Sequence, residues 1–204
     1  MPRPLAKRLL DLVVAGVLAI ASLPLALVVV AAFAVDALVS PRDRGSLLYQ
    51  EPRLSRGRAF GLLKFRTLRA DVLEQAAGHA RLQEAETANL TWVGRRILKP
   101  WYLDELPQLW NVLRGDISLV GPRPWPPELV ARQRAEGLTY RDEVNAGLTG
   151  LAQLTKGSDR RYADLDLEYV ERCRLLGTWA LVRYDLEIIV RTLAVLGRGE
   201  GLRN

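Results

Sequence analysis

The longest uncharged stretch of the sequence lies near its start, where residues 12–35 carry no charged side chain. Because about 20 apolar residues can cross a bilayer as a helix, this stretch predicts a membrane-associated helix within residues 1–40. A cleaved signal peptide fits poorly, since the apolar stretch is too long and is interrupted by Pro24. Residues 41–204 contain no second stretch of this kind, and they are expected to form a polar, basic domain at the membrane surface.

Pro24 lies in the middle of the apolar stretch. Proline lacks a backbone N–H and clashes with the preceding turn, so we predict a helix that is kinked near Pro24, with Ser22 available to bond the freed backbone groups. Basic residues flank both ends, and the positive-inside rule is satisfied best if both ends lie on the cytosolic face. From the residues alone, a re-entrant helix and a helix that crosses the bilayer both stay open.

The rest of the chain predicts an α+β, mainly helical fold. Short apolar segments at 46–49 and 59–66 predict a small β-hairpin. Helices are expected over 71–90, 106–113, 126–136 and 179–196, and residues 147–157 are expected to form a loop with a short extended piece. The helix over 179–196 has a broad apolar face, which fits either an amphipathic helix in the membrane interface or a helix packed on the domain core.

Composition excludes several classes of site. The single cysteine forbids an internal disulfide, and one histidine is too few for a typical zinc site. There is no Walker-type phosphate loop and no dinucleotide-binding glycine motif. The net charge of +6 suits an anionic partner, but the basic residues form no nucleic-acid-type stripe, so no nucleic acid partner is expected.

Adjacent carboxylates, Asp104 and Glu105, are the first candidates for chemistry. On spacing alone they favour a capped helix start, because acidic side chains stabilise the N-terminal end of a helix. Two nearby cations favour phosphate chemistry instead. Lys99 precedes the pair, and Arg123 follows it between two prolines that fix its backbone. A solvated arginine at a rigid corner is the alternative for Arg123.

A second cationic group, Lys64 and Arg66 around Phe65, ends an apolar segment. These cations either contact a phosphate or a base or form the exposed end of a strand, and the residues alone leave these interpretations open.

The motifs cover almost the whole chain. The longest is "LDELPQLWNVLRGDISLVGPRP" at 103–124. The others are Lys7-Arg8 with Asp11, the proline-broken apolar stretch, 45–53, "KFRT" at 64–67, "GLTGLAQ" at 147–153 and the terminal segment 185–192. This series resembles the bacterial sugar transferases of the monotopic phosphoglycosyl transferase superfamily, in their small form.

The resemblance implies an enzyme, a transferase of phosphorus-containing groups. Such enzymes move a sugar-1-phosphate from a nucleoside diphosphate sugar, usually a UDP-sugar, to polyprenyl (undecaprenyl) phosphate and release UMP. The resemblance implies that Asp104 is the nucleophile, that a covalent phosphoglycosyl-enzyme forms, and that Mg²⁺ is held at Glu105 with Asp104. The expected phosphate- or nucleotide-binding side chains are Arg53, Lys64, Arg66, Lys99 and Arg123.

The same resemblance implies a cellular setting. It places the protein on the cytosolic face of the bacterial inner membrane as a monotopic protein, at the first membrane step of exopolysaccharide, O-antigen or glycoprotein biosynthesis. A homodimer is one possible assembly. The sugar is not specified by the sequence.

The chain also departs from the family pattern. Aromatic residues, Trp101 and Tyr102, replace two small hydroxyl residues before the carboxylate pair. They are expected to pack on the sugar or nucleoside, to touch the membrane, or to fill the core. Leu23 replaces the usual serine before Pro24. The alternative functions are a catalytically inactive membrane-anchored assembly protein and a metal-dependent diphosphate hydrolase in which water replaces the lipid acceptor.

Overall fold

The computed structural model describes residues 3–76, 83–154 and 161–197, and they form a mainly helical α+β fold, as expected. The helices are α1 Leu5–Val39, α2 Ala70–Gln75, α3 Gln108–Arg114, α4 Pro127–Ala135, α5 Leu151–Leu154, α6 Tyr162–Leu175 and α7 Thr178–Gly197. The strands are β1 Leu48–Ser55, β2 Arg58–Phe65, β3 Ser118–Val120 and β4 Gly147–Thr149. They pair as two two-stranded sheets, β1 with β2 and β3 with β4.

Helix α1 runs through Pro24 without interruption. At 1.5 Å per residue it is about 50 Å long, against about 30 Å for the hydrocarbon core of a bilayer. By length and composition it is able to cross a membrane. The kink at Pro24 and the re-entrant insertion stay predictions.

The Ser22 hydroxyl does not replace the hydrogen bond that Pro24 removes. Its Oγ donates to the carbonyl of Ala19 at 3.0 Å. The carbonyl that loses its partner is that of Ile20, four residues before the proline. The role expected for Ser22 is therefore corrected: its hydroxyl bonds a neighbouring carbonyl within the same turn.

The contacts within the chain define two compact units. Unit 1 consists of Met1–Gly16, Pro52–Phe60 and Asn111–Asn204, and unit 2 consists of Val17–Glu51 and Gly61–Trp110. The expected boundary near residue 40, between a membrane helix and a surface domain, stays a prediction.

Unit 1 contains the parallel pair of β3 and β4, with Ser118 opposite Gly147 and Val120 opposite Thr149. The sequence predicted an extended piece near 147 but not its pairing. A Cβ atom on Gly147 would lie 2.1 Å from the backbone nitrogen of Gly121. This close approach of two backbones requires glycine.

Buried ion pairs and hydrogen bonds hold the start of α1 against the other segments of unit 1. Lys7 is ion-paired with Asp185, and its Nζ lies 3.0 Å from the Tyr169 hydroxyl. Asp11 accepts a hydrogen bond from the backbone amide of Leu119 at 2.9 Å. Each buried charge has a partner, as burial of charge requires.

Unit 2 has a compact apolar cluster. It joins the second half of α1 to β2 and to the helical turn Gly94–Leu98, and its buried members are Val29, Phe33, Phe65, Val93 and Leu98.

Two sequence predictions need correction. The first hairpin strand was expected over 46–49 but runs from Leu48 to Ser55, because Arg56 and Gly57 both adopt positive φ and close a tight two-residue turn. The helix expected over 71–90 is wrong over 84–90. There, Glu84 is drawn into contacts with other segments, and a single 3₁₀ turn follows at Thr87–Asn89. Residues 77–82 lie outside the described part of the chain.

Other predictions are confirmed closely. Helix α3 ends before Gly115, whose φ of +93° suits glycine, and α4 begins at Pro127. Helix α7 has the expected amphipathic character. Leu181 and Ile188 are buried, whereas Leu186, Val190 and Leu193 are exposed. That exposed apolar face suits a membrane interface, a placement that stays a prediction.

Candidate active site

Asp104 lies in a 3₁₀ turn, Leu103–Glu105, that precedes α3. The turn follows Tyr102, whose φ of +53° lies in the left-handed region that residues other than glycine rarely adopt. The Asp104 carboxylate accepts a hydrogen bond from Lys99 at 3.1 Å. The capped-helix interpretation is therefore wrong for Asp104, because its carboxylate binds a cation and lies outside α3.

Trp101 next to this turn is not a core residue. Its side chain is 67% exposed, so the core-packing alternative for Trp101 is wrong.

A lysine joins Asp104 to a second carboxylate. Lys99 Nζ lies 3.1 Å from Asp104 Oδ2 and 2.7 Å from Glu84 Oε2. Thr67 donates from its hydroxyl to the other oxygen of Glu84 at 2.8 Å. Asp104 is only 2% exposed. The result is a chain of contacts, Thr67 to Glu84 to Lys99 to Asp104, that holds a cation beside a buried carboxylate.

The electrostatics of this chain of contacts favour the charged forms of Lys99 and Glu84, whereas the pKa of Asp104 is raised overall. Burial raises the pKa of Asp104 and Glu105 adds to that effect, while Lys99 and Lys64 oppose it. Burial lowers the pKa of Lys99, but the two carboxylates outweigh it and raise that pKa overall. The pKa of Glu84 is lowered despite burial, because Lys99 and Lys64 stabilise its anion. Lys99 is therefore held protonated between two anions.

Lys64 belongs to the same electrostatic environment. It is buried and forms an ion pair with buried Glu51 at 3.3 Å. Its charge opposes the rise in the pKa of Asp104 and helps to lower the pKa of Glu84. Two of the expected phosphate-binding cations, Lys64 and Lys99, therefore act in the electrostatic environment of the Asp104 carboxylate.

Arg66 has a different role. Its side chain is 1% exposed, and the guanidinium donates to the backbone carbonyls of Asp43, Ser46 and Leu68 at 2.5, 2.7 and 2.8 Å. These bonds join the segment after α1 to the end of β2. They give Arg66 a structural role, so we do not include it among the side chains proposed to bind phosphate.

The other two expected cations, Arg53 and Arg123, belong to unit 1. Arg53 is buried on β1, and Arg123 is half-buried. The backbone carbonyl of Arg123 accepts a hydrogen bond from the guanidinium of Arg141 at 2.7 Å. Arg141 in turn is ion-paired with buried Asp166 and lies 4.2 Å above the ring centre of Trp125. Arg141 therefore fixes the backbone of the Gly-Pro-Arg-Pro corner.

The donor atoms around Asp104 fit one kind of magnesium site. Among the described residues there is no group of three or more histidine, cysteine, aspartate or glutamate side chains able to enclose a metal. Mg²⁺ is commonly held by one or two carboxylates together with substrate phosphates. The adjacent Asp104 and Glu105 carboxylates fit that arrangement, and they do not fit an all-protein cage.

Two contributors were missed from the sequence, Glu84 and Glu51. Glu84 lies in a segment that reads as an exposed helix, and no local spacing links it to Lys99. Glu51 is not among the residues that the sequence singles out. Opposite charges on the two strands of a hairpin often pair, and this rule offered a signal for Glu51 with Lys64.

Comparison with known proteins identifies the family. A profile described as Bacterial sugar transferase matches residues 2–199. The undecaprenyl-phosphate glucose phosphotransferase of Komagataeibacter xylinus is 35% identical over 203 residues, which cover 93% of this chain and 35% of that protein. The UDP-glucose:undecaprenyl-phosphate glucose-1-phosphate transferase of Caulobacter vibrioides is 40% identical over 205 residues, covering 94% of this chain and 70% of that protein.

A third relative is matched over most of its length. The exopolysaccharide production protein ExoY of Rhizobium meliloti is 32% identical over 215 residues, covering 97% of this chain and 88% of that protein. The chain thus spans about a third of the first relative but most of the other two. Taken with the profile match, this similarity shows that the chain belongs to the bacterial sugar transferase family.

Proposed function

We propose that this protein transfers a sugar-1-phosphate from a UDP-sugar to a polyprenyl phosphate such as undecaprenyl phosphate. The observation that carries the proposal is the buried Asp104 carboxylate, held by Lys99 within the chain of contacts to Glu84 and Thr67. Relatives are named as enzymes that act on undecaprenyl phosphate, and this supports the choice of acceptor.

In the first step, an oxygen of the Asp104 carboxylate attacks the phosphorus that bears the sugar. A bond forms between that oxygen and phosphorus, and the bond from phosphorus to the bridging oxygen of the diphosphate breaks. UMP leaves with the bridging oxygen, and the sugar phosphate stays on the enzyme as a mixed anhydride with Asp104. Covalent catalysis of this kind divides one difficult transfer into two easier ones.

In the second step, a phosphate oxygen of the polyprenyl phosphate attacks the same phosphorus. The bond from phosphorus to Asp104 breaks, the carboxylate is regenerated, and a polyprenyl diphosphate sugar is released. Lys99 and Lys64 lower the cost of bringing a substrate anion to the Asp104 anion, because their charges act in a site shielded from water.

Magnesium at the Asp104–Glu105 pair would neutralise charge on the diphosphate. The side chains of the protein do the rest: Glu84 keeps Lys99 charged and positioned, and Lys64 contributes a second buried cation. Arg53 and Arg123 are proposed to bind phosphate or nucleotide.

The lipid acceptor also accounts for the long apolar helix α1. A polyprenyl chain lies in the bilayer with its phosphate at the surface, so an enzyme that uses it gains from a long apolar helix. We propose that the protein sits on the cytosolic face of the inner membrane as a monotopic protein. Labelling of single cysteines placed at both ends of α1 tests this, since a crossing helix would give opposite accessibilities.

The reaction is tested with radiolabelled UDP-glucose or UDP-galactose, Mg²⁺ and undecaprenyl phosphate in detergent or nanodiscs. We expect UMP and a lipid-linked product. With the labelled sugar donor alone, we expect label to remain with the protein. Asp104→Asn should lose both signals, whereas Asp71→Asn, the same change at an exposed position, should retain them.

Three outcomes would contradict the proposal. Full activity of Asp104→Asn would exclude Asp104 as the nucleophile. A water-soluble sugar phosphate without any lipid product would show that the protein is a hydrolase. No turnover of any sugar nucleotide by folded protein would favour a non-catalytic assembly protein.

A further inference from the structure

A small apolar cavity adjoins the candidate active site in unit 2. It has a volume of about 300 Å³ and is lined by Leu25, Ile97, Trp101 and Leu103. We call it the apolar notch. Leu25 follows Pro24 in α1, and Leu103 precedes Asp104 in the chain. The notch therefore touches both the membrane helix and the turn that carries the proposed nucleophile.

The walls of the notch are partly exposed. Trp101 is 67% exposed and Leu25 is 40% exposed. An exposed indole beside an exposed leucine is a surface on which an apolar group gains by losing contact with water. Neither side chain has a part in the chemistry proposed above, so the notch is unexplained by that function alone.

The chemistry of the notch selects among the groups of the proposed substrates. All four lining side chains are apolar, so a sugar, a nucleoside or a diphosphate placed there would lose hydrogen bonds to water without replacing them. The hydrocarbon part of the lipid acceptor loses nothing of the kind. It is also the only proposed substrate group that resides in a bilayer.

The position of the notch identifies which part of the lipid it takes. To be transferred, the sugar phosphate on Asp104 must be reached by the acceptor phosphate, so the isoprene units next to that phosphate lie near the Leu103–Glu105 turn. A volume of this size is at the lower end of the range for small-molecule pockets, about 300–1,000 Å³. It suits a short segment of chain, with the remainder left in the bilayer.

We infer that the apolar notch binds the isoprene units adjacent to the phosphate of the polyprenyl acceptor, with Trp101 and Leu25 as its principal contacts. The inference rests on the proposed function and assigns Trp101 a role in acceptor binding. It places Trp101 outside the first chemical step, because the sugar nucleotide does not enter the notch.

The test separates the two half-reactions. In the first, UMP release from a UDP-sugar is measured without acceptor. In the second, kcat/KM is measured with undecaprenyl phosphate in bilayers, and with geranyl phosphate, which has only two isoprene units, in detergent solution. Trp101→Ala is compared with Trp92→Ala, a change at another exposed tryptophan of unit 2 that does not line the notch.

Trp101→Ala should release UMP at the rate of the unaltered protein and lose roughly ten- to a hundredfold in kcat/KM for both acceptors, the range expected when a buried apolar contact is removed. Trp92→Ala should show little change in kcat/KM for either acceptor. A matched pair on α1 provides a second test: Leu25→Gln should show the same selective loss, and Leu27→Gln, at an exposed position outside the notch, should not.

Several results would overturn the inference. A loss with undecaprenyl phosphate in bilayers but none with geranyl phosphate in detergent would make Trp101 a membrane anchor. Equal losses in both half-reactions would make it a structural or nucleotide-binding residue. Failure of the unaltered protein to release UMP would instead contradict the proposed function, so the two failures are distinguishable.

Discussion

Lys99 donates a hydrogen bond from its Nζ to the Oδ2 of the Asp104 carboxylate, at 3.1 Å. The same ammonium is held from its other side by Glu84. A cation is therefore already in place beside the buried carboxylate before any phosphate arrives. Preorganised charge of this kind costs no rearrangement when charge develops during a reaction.

Replacement of Lys99 by methionine should slow formation of the covalent intermediate by roughly a hundredfold, since an interaction of this type contributes about 3 kcal/mol. Loss of the cation also raises the pKa of Asp104, because Lys99 stabilises its anion. The acidic limb of the pH–rate profile should therefore move to higher pH. Rapid-quench measurement of labelled enzyme over a pH series checks both effects.

The control for Lys99→Met is Arg96→Gln, which removes a positive charge from an exposed position in the same helical segment. It should leave the rate and the profile unchanged. Equal effects from both variants would mean that net charge, and not the contact with Asp104, governs the rate.

Glu84→Gln should move the alkaline limb of the same profile to lower pH. The Glu84 carboxylate helps to raise the pKa of Lys99, so its removal lets Lys99 lose its proton at lower pH. Glu84→Asp keeps the charge and should restore most of the alkaline limb. A merely structural role for Glu84 would reduce the rate at every pH without moving the limb.

Arg66→Met should destabilise the fold more than it alters the chemistry. The change removes three hydrogen bonds to backbone carbonyls, and a hydrogen bond made by a charged group typically contributes about 1.5–3 kcal/mol. We expect a lower midpoint of thermal unfolding in detergent, with Arg69→Met at a nearby, more exposed site as the comparison. A normal midpoint with lost sugar-nucleotide binding would return Arg66 to the phosphate-binding set.

Asp166 should make stability depend on pH. Burial raises its pKa to about 6, although Arg141 opposes the shift. Between about pH 4 and pH 6 the folded protein then retains a proton that the unfolded chain has released, so the free energy of unfolding falls as pH rises. Over this pH range the free energy of unfolding should fall by about 3 kcal/mol relative to that of Asp166→Asn.

Denaturant titrations at several pH values measure this difference. The matched control is Asp164→Asn, a change on the same helix at an exposed position. Its free energy of unfolding should change with pH in the same way as that of the unaltered protein. A constant difference between Asp166→Asn and the unaltered protein from pH 4 to pH 7 would contradict the raised pKa.

The sequence by itself determined the features that depend on neighbouring residues. The uncharged stretch 12–35 produces a long helix because its composition is apolar throughout, and Gly115 ends α3 because only a residue without Cβ adopts its φ freely. The motif around Asp104 and Glu105 likewise indicates the family from local sequence alone.

Only the tertiary structure decided what each cation near the site does. Lys64 and Arg66 are two residues apart, yet Lys64 lies in the electrostatic environment of Asp104, whereas Arg66 bonds backbone carbonyls. The local sequence around Glu84 predicts an exposed helix, whereas in the fold Lys99 and Thr67 contact its carboxylate. These contacts join segments that are distant in the chain, and burial sets their strength, so no local pattern of residues could specify them.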